Sequence, residues 1–467
     1  MSSDPRYEVL DEAARLARSW VDSLGQRPVG APATLEELRV AFARPLSAEG
    51  EDARTVIADL ARDADPGLIA SAGPRYFGFV IGGSLPAALA ADWLVSAWDQ
   101  NGGGFVASPS LSVAEEVAAG WVLDLLGLPR DASVGFVTGC QMAHFTCLAA
   151  ARHAVLRDAG WDVEADGLQG APGVRVIAGE EAHVTVACAC RMLGLGAERV
   201  VTVPADEQGR MLLDGLRAEL DRHDGPTIVV AQAGEINTGA FDPIGDIADA
   251  CRERGAWCHV DGAFGLWAAA APARRGLIEG YERAHSWATD GHKWLNVPYD
   301  CGIAMVVDRE AHRAAMTSQS AYIPAHEEGI PWGFDWNPEF SRRARGVPVY
   351  AALRSLGRDG VARMIEDCCT HAARMAERLG AEDGVEVLND VVLNQVLVRF
   401  GDDDALTNAV VEEVQRDGTC WLSGSTFRGR SVMRISVVGW QTTADDADRS
   451  VDAIVAAARR VGQPAVR

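Results

Sequence analysis

The chain has 467 residues, of which 48% are hydrophobic and 23% are charged, and its formal net charge is −23. A strongly acidic protein is repelled by nucleic acid and by anionic membrane surfaces, so neither is expected as a partner. The length exceeds what one simple hydrophobic core holds, which predicts at least two domains.

No targeting or membrane segment is predicted. Charged residues near the start, among them Asp4, Arg6 and Glu8, leave no room for the apolar core of a signal peptide. The longest uncharged run, residues 76–91, is interrupted by Pro86 and is too short to span a bilayer. We therefore expect a cytoplasmic protein.

The ten cysteines are scattered through the chain, and several lie in apolar runs. This pattern is typical of buried free thiols in a reducing compartment. Cys188 and Cys190 follow His183 closely, which raises the possibility of a metal site. No second pair of ligands follows at the spacing of a zinc site, so no metal is expected.

Residues 1–70 are predicted to form an N-terminal helical arm. Apolar side chains recur at helical spacing along residues 7–24, and a second helical stretch covers residues 48–63. Gly30 and Pro32 separate the two stretches. The apolar stripe of the first helix has no evident partner within the arm, so we expect it to pack against a partner subunit.

Residues 71–345 are predicted to form a large domain. It opens with SAGPRYFGFVIGGSLP, residues 71–86, where glycines mixed with aromatic residues favour a loop that approaches another group closely. Helices are predicted over residues 85–98 and 113–126, and the glycine-rich loop 101–109 connects them.

From residue 133 the pattern becomes one of short strands alternating with helices. Such alternation predicts an α/β fold with a mostly parallel sheet covered on both faces. Ligands of such sheets bind beyond the carboxyl ends of the strands. The predicted strands are 133–138, 174–178, 198–203, 227–232, 256–260 and 284–289, and the predicted helices are 141–157, 183–193, 211–221 and 244–254.

Residues 346–467 are predicted to form a small C-terminal α+β domain. Just before it, Arg342, Arg343 and Arg345 have two possible roles. One of them meets a cofactor phosphate or a carboxylate, or together they form a solvated basic face. The predicted elements that follow are helix 347–380, strands 385–388 and 393–400, helix 405–416, one further strand and helix 443–460.

Lys293 lies in a turn between two apolar strands, within residues 286–307. Burial lowers the pKa of a lysine and makes it a usable nucleophile. The run from Asp290 to Gly302, DGHKWLNVPYDCG, resembles the cofactor-lysine motif of group II pyridoxal-phosphate (PLP) decarboxylases, which include the aromatic-L-amino-acid and glutamate decarboxylases. The resemblance covers nearly the whole chain. It implies a fold-type-I PLP-dependent transferase architecture, with Lys293 holding PLP as a Schiff base.

The same resemblance implies a phosphate-binding segment at FVTGCQMAHFTC, where a strand leads into a helix. A helix N-terminus offers free N–H groups and a favourable dipole to a phosphate. Gly139, Cys140 and Gln141 are the expected contacts. The family usually has glycine or alanine, then serine, at the last two positions, and the Gln141 amide partly replaces the missing hydroxyl.

Further residues are assigned to the cofactor by the resemblance. Asp261 ends an apolar strand and would pair with the pyridinium nitrogen of PLP, which keeps the ring an electron sink. His183 matches the histidine that stacks on the ring and lines the substrate side. The remaining expected contacts are Ala263, Asp290, His292 and Ile236, the last of which stands where the family usually has a threonine.

The resemblance also implies that the loop at Phe79, Val80 and Ile81 forms a wall of the substrate pocket. Ordinary core packing is an equal alternative for these three residues. If they line the pocket, the substrate side chain is apolar or aromatic.

The implied reaction is decarboxylation of an L-amino acid to the amine and carbon dioxide, catalysed with Lys293, His183 and Tyr322. Two alternatives remain open. One is another PLP reaction on the same fold: carbon–carbon bond cleavage, transamination, or oxidative decarboxylation–deamination to an aldehyde. The other is a PLP-binding protein without turnover. Members of the family are homodimers with active sites at the interface, so a homodimer is expected.

Tyr322 matches the loop tyrosine that protonates the substrate α-carbon, and Tyr322→Phe removes only its hydroxyl. General acid catalysis of this kind contributes roughly 10²–10⁴-fold. We expect the variant to bind PLP and substrate but to give less amine and more aldehyde or transamination product. Product analysis decides, and an unchanged amine yield would shift the proton donor to His183 or to water.

Overall fold

A computed structural model of the protein describes residues 4–317 and 329–462. The N-terminal arm holds three helices: α1 (Val9–Ser23), α2 (Leu35–Phe42) and α3 (Ala53–Ala64). The helix α2 was not predicted. It begins at a capping box, in which Thr34 accepts from the N–H of Glu37 while the Glu37 carboxylate accepts from the N–H of Thr34.

A seven-stranded sheet forms the centre of the large domain. Its order is β1-β7-β6-β5-β4-β2-β3, and only β7 runs antiparallel to its neighbours. The strands are β1 (Ser133–Val137), β2 (Arg175–Gly179), β3 (Val201–Val203), β4 (Thr227–Gln232), β5 (Trp257–Asp261), β6 (Ser286–Asp290) and β7 (Gly302–Val306).

Helices cover both faces of this sheet, as the alternating pattern predicts. Apolar side chains fill one core between the sheet and α6 and a larger core on the other side, which continues into the C-terminal domain. The helices are α4 (Pro86–Trp98), α5 (Pro109–Leu125), α6 (Cys140–Asp158), α7 (Val163–Asp166), α8 (Val184–Met192), α9 (Leu213–Asp221), α10 (Ile244–Arg254) and α11 (Arg309–Met316).

The predicted strand 198–203 is shorter in the structure. Residues Ala197–Arg199 form a 3₁₀ turn, and only Val201–Val203 pair with β2. Gly196 has a φ of 84° and turns the chain just before this segment. The turn residues Ala, Glu and Arg lack β-branched side chains, so the strand begins only at the valines that follow.

The C-terminal part contains a second, antiparallel sheet in the order β10-β11-β9-β8. Gly357, with a φ of 63°, kinks the long helix α12. No helix within residues 4–317 and 329–462 is long and apolar enough to cross a membrane. The elements are α12 (Gly346–Gly380), β8 (Val385–Val387), β9 (Gln395–Phe400), α13 (Asp404–Asp417), β10 (Ser423–Phe427), β11 (Arg430–Ser436) and α14 (Ala444–Gly462).

The three arginines before α12 each meet a carboxylate of the protein, so they do not form the solvated basic face that the sequence left open. Arg342 is buried and forms a two-pronged ion pair with Glu115, with Nη2 lying 2.6 Å from Oε2. Arg343 pairs with Asp92 at 2.7 Å, and Arg345 pairs with Asp300 at 2.9 Å. Since all three meet carboxylates of the same chain, they join helices and loops of the large domain.

Candidate active site

The carboxylate of Asp261 lies at the carboxyl end of β5, and the residue is only 4% exposed. Its Oδ2 lies 3.3 Å from Nε2 of His144, and its Oδ1 accepts from the N–H of Ala263 at 3.1 Å. Burial raises the pKa of this carboxyl group, but His144, together with His183 and Lys293, outweighs burial and the net pKa is lowered. Asp261 is therefore an ionised carboxylate.

Lys293 lies in the turn that follows β6. Its Nζ is 3.1 Å from Oδ2 of Asp290, the last residue of that strand. Burial lowers the pKa of the lysine, yet the Asp290 carboxylate reverses this effect and the net pKa is raised. The sequence prediction of a lowered pKa is wrong for the protein without cofactor, because it considered burial alone.

The first turn of α6 faces the same edge of the sheet. The backbone N–H groups of Cys140, Gln141 and Met142 have no partner within the helix. Gly302 packs directly on Gly139, since a Cβ at Gly302 would lie 2.4 Å from the Gly139 carbonyl carbon. The backbone donors that the helix leaves unpaired at its N-terminus suit a phosphate.

The Gln141 side chain does not complete this set of donors. It is exposed, and its Nε2 lies 3.9 Å from the sulfur of Met192 on α8. The amide therefore contacts a neighbouring helix, and only its backbone N–H faces the helix N-terminus.

His183 caps the N-terminus of α8, and its Nδ1 accepts from the N–H of Thr185 at 3.4 Å. Burial lowers the pKa of His183, Asp261 opposes this effect, and Lys293 adds to it. The imidazole is therefore neutral, and a neutral ring stacks on another flat ring without the cost of burying a charge.

His292 lies between the lysine turn and the start of α6. Its Nδ1 accepts from the N–H of Cys301 at 3.1 Å, and its ring stacks on Tyr299 with centroids 4.3 Å apart. A Cβ at Gly139 would lie 3.2 Å from Cε1 of His292. The ring of His292 thus forms a side wall of the helix N-terminus.

The pyridoxal-dependent decarboxylase conserved domain matches residues 36–400, which is most of the chain. This chain belongs to the pyridoxal-dependent decarboxylase family. The predicted membership, PLP as the cofactor and amino-acid decarboxylation as the reaction are confirmed. The protein is a carboxy-lyase that depends on PLP.

Relatives and solved structures agree with this family. The aromatic-L-amino-acid decarboxylase of Bacillus atrophaeus is 24% identical over 461 residues, which cover 96% of this chain and 94% of the relative. The L-2,4-diaminobutyrate decarboxylase of Rhizobium meliloti (strain 1021) is 29% identical over 392 residues, covering 80% and 76%. The Oryza sativa TDC structure with PLP and tryptamine has a TM-score of 0.92 over 99% of both chains at 22% identity, which confirms the predicted fold.

The site of this decarboxylase fits PLP chemically. A PLP molecule needs donors for its phosphate, an acceptor for its protonated ring nitrogen and an amine for its aldehyde. The N-terminus of α6, the Asp261 carboxylate and the Lys293 amine are of these three kinds. All three lie at one edge of the sheet, because β5 and β6 are parallel neighbours that end there.

Not every predicted site residue has such a place. Ile236 is partly buried and packs against the larger core, so its predicted contact with the cofactor stays a prediction. Tyr322 lies outside the described residues. Val80 is fully buried in the larger core, Ile81 packs with a small cluster of the arm, and Phe79 is 55% exposed.

The loop around Phe79 reaches the site through its backbone. A Cβ at Gly82 would lie 1.8 Å from the carbonyl oxygen of Lys293, so only glycine fits there. Phe79 itself tilts against Trp421, with ring centroids 5.3 Å apart. Of the three predicted pocket residues, Phe79 therefore has the side chain that remains available to a ligand.

Two residues of the site were missed by the sequence analysis. His144 is fully buried on α6, one helical turn after Cys140, and it contacts Asp261. Arg434 is buried on β11, and its Nε has no hydrogen-bond partner among the described residues. The position of His144 at i+4 from Cys140 was a usable signal, whereas nothing local marked Arg434.

Replacing Asp290 with Asn in the apoprotein is expected to lower the pKa of Lys293, because this carboxylate stabilises the ammonium form. Only the neutral amine attacks the PLP aldehyde. The midpoint of PLP uptake against pH should therefore move to lower pH, measured as the initial rate of the visible absorbance change. Asp300→Asn, which breaks a pair with Arg345 instead, is the matched control. A midpoint that is unchanged or moves upward in Asp290→Asn would contradict the ion-pair explanation.

Proposed function

We propose that this decarboxylase acts on an L-amino acid with an apolar or aromatic side chain and releases the amine. The observation that carries the proposal is the meeting of the Lys293 amine, the Asp261 carboxylate and the N-terminus of α6 at one sheet edge. The domain boundaries at residues 70 and 345 are part of the proposal, since the Lys293, Asp261 and α6 groups all lie within the large domain.

Each of these groups has a proposed task. The N-terminus of α6 holds the phosphate, Lys293 holds the cofactor covalently, and Asp261 keeps a proton on the ring nitrogen. Bound there, PLP supplies the sink for the electron pair left by departing carbon dioxide. The neutral ring of His183 packs on the cofactor and excludes water from its substrate side. Tyr322 keeps its proposed task of delivering a proton to the substrate α-carbon.

Arg434 is proposed to orient the substrate through its carboxylate. Burial lowers the pKa of this guanidinium, with Glu235 opposing, and its positive charge in turn lowers the pKa of His183. The side chain is thus close to the site, and its unpaired Nε lacks an acceptor. A substrate carboxylate satisfies both the charge and the free donor of a guanidinium.

The apolar substrate class is supported by Phe79. Its exposed ring lies in the loop whose backbone touches Lys293, and Trp421 extends the aromatic surface. Aromatic side chains bury large areas and stack favourably with one another. A charged substrate side chain would lose its hydration against this surface.

The test is to incubate the PLP-loaded enzyme with a panel of common L-amino acids and to measure carbon dioxide and amine. Aromatic and large apolar amino acids should give both products in equal amounts, and Lys293→Ala should give neither. Aldehyde with ammonia and peroxide would favour the oxidative reaction, and a keto acid would favour transamination. PLP binding without any product would favour a protein without turnover.

Removing the charge of Arg434 should weaken substrate binding selectively. Arg434→Gln is expected to raise KM roughly tenfold or more, because hydrogen bonds to charged groups contribute about 1.5–3 kcal/mol. Arg434→Lys should recover part of the loss, and Arg428→Gln, in the exposed turn between β10 and β11, should change little. Steady-state kinetics decide, and an unchanged KM in Arg434→Gln would remove this residue from the site.

A homodimer is proposed because the arm helices leave large apolar side chains exposed. None of the residues in α1, α2 or α3 is buried in the single chain. Each Å² of exposed apolar area costs about 25 cal/mol, and association that buries this area would recover the free energy. The large exposed side chains of the arm include Leu10, Val40, Phe42, Leu46 and Leu60.

Light scattering at micromolar concentration should therefore give about twice the chain mass of 49.7 kDa. Phe42→Glu should shift the protein toward the single chain, because a carboxylate is costly to bury in an apolar interface. Glu36→Ala, an exposed change on the same helix, should leave the mass unaltered. A species of 49.7 kDa alone would contradict a dimer.

A cytoplasmic location is proposed on the state of the cysteines. All ten are free, and nine of them are buried. Free thiols persist in a reducing compartment, whereas an oxidising one favours disulfides.

A further inference from the structure

A line of buried polar side chains leads from Asp261 into the interior of the large domain. His144 Nε2 lies 3.3 Å from Oδ2 of Asp261, and His144 Nδ1 lies 2.9 Å from Nε2 of His259. His259 Nδ1 lies 2.9 Å from Oγ of Ser286, which also accepts from Nε1 of Trp257 at 2.9 Å. All five residues are buried.

The sheet explains how these residues meet. Trp257, His259 and Asp261 alternate along β5, so their side chains point to the same face. Ser286 pairs with His259 in the register of β5 and β6. The helix α6 packs on this face and inserts His144 between the two strand residues His259 and Asp261.

The chemistry of the two ends constrains the direction of the protons. The ionised Asp261 carboxylate can only accept, so the His144 Nε2–H donates to it. An indole can only donate, so the Ser286 oxygen accepts from Trp257, and its own hydrogen is available to His259. When His144 Nδ1 accepts from His259, each hydrogen bond of the series points toward Asp261.

The state of His259 agrees with this direction. Burial, with a smaller effect of the neighbouring His144, lowers its pKa to about 3. His259 is therefore neutral, and in this arrangement its Nε2 hydrogen is directed at His144 while its Nδ1 accepts from Ser286. A neutral imidazole in this tautomer passes the polarisation of one hydrogen bond to the next.

Cys140 is the other neighbour of His144, with its sulfur 3.5 Å from Nε2. Burial raises the pKa of this thiol well above its usual range, so it stays neutral. A neutral thiol is a weaker acceptor than a carboxylate. Asp261 therefore remains the main acceptor of the His144 hydrogen bond.

If these buried side chains served only to satisfy one another's hydrogen bonds, the series would not need to end at the active site. His312 shows the simpler arrangement, in which a buried histidine pairs with the hydroxyl of Ser133 at 2.8 Å. His144 and His259 instead form a connected series that ends on the carboxylate assigned to the cofactor ring. The difference lies in what the last histidine contacts.

We propose that His144 and His259 are positioning residues that hold the Asp261 carboxylate ionised and aimed at the ring nitrogen of the cofactor. They act through Asp261, so their task rests on the proposed function of that residue. The series keeps the Asp261 carboxylate ionised, so the proton shared with the cofactor stays on the ring nitrogen. A protonated ring nitrogen makes the cofactor a stronger electron sink.

The test compares PLP with an analogue whose ring nitrogen is replaced by a C–H group. The dissociation constants of both are measured by fluorescence titration of the apoprotein. His144→Phe should weaken PLP binding by about tenfold to a hundredfold, the range expected for one hydrogen bond to a charged group. Binding of the analogue should change much less, because it has no ring nitrogen for Asp261 to contact.

Two variants separate this effect from a general loss of structure. His144→Gln keeps an N–H donor near the position of Nε2 and should recover most of the PLP affinity. His312→Phe removes a comparable buried histidine. It should leave the ratio of the PLP dissociation constant to the analogue dissociation constant at the wild-type value. Thermal unfolding of each apoprotein reports the purely structural cost.

An unchanged ratio in His144→Phe, with both ligands weakened equally, would overturn the proposal and leave the histidines a structural role. If His144→Phe does not fold, His259→Asn should raise the dissociation constant of PLP relative to that of the analogue, by a smaller factor. An unchanged ratio of the two constants in His259→Asn would overturn the proposal equally. If the wild-type protein binds no PLP at all, both the proposed function and the proposed role of the histidines are overturned. If the wild-type protein binds PLP and only the ratio is unchanged in the variants, the proposed role of the histidines alone is overturned.

Discussion

The burial of an ionised carboxylate at the end of β5 is the constraint on which the site depends. A buried charge is costly unless donors or opposite charges compensate it. Here His144 and the backbone of Ala263 supply donors, and Lys293 adds a nearby positive charge. The placement of α6 beside β5 and the course of the turn after β6 both serve to bring these groups to Asp261.

A second requirement is that three distant segments meet at Lys293, and Asn296 provides the connection. Its side chain accepts from the N–H groups of Gly83 and Trp440 and donates to the carbonyl of Val438. Asn296 adopts a φ of 54°, a region that asparagine tolerates better than most residues. The lysine turn is thereby fixed to the loop before α4 and to the C-terminal domain.

Two further residues near the site stabilise its loops and helix. Glu235 is buried and accepts from the backbone N–H groups of Asn237 and Thr238, so it stabilises its own loop. Cys140 contributes its backbone to the N-terminus of α6 and places its thiol beside His144.

The sequence by itself determined the α/β class and most strands of the large sheet, and it singled out Lys293 and Asp261 as candidate site residues, because strand–helix periodicity and the cofactor-lysine motif are local signals. Tertiary structure decided the antiparallel course of β7 and the ion pairs of Arg342, Arg343 and Arg345, since pairing partners lie far apart in the chain. It also decided the net pKa of Lys293, which depends on a carboxylate whose distance no sequence pattern gives. The series from Trp257 to Asp261 exists only because α6 packs on one face of β5, so the roles of His144 and His259 follow from packing between elements.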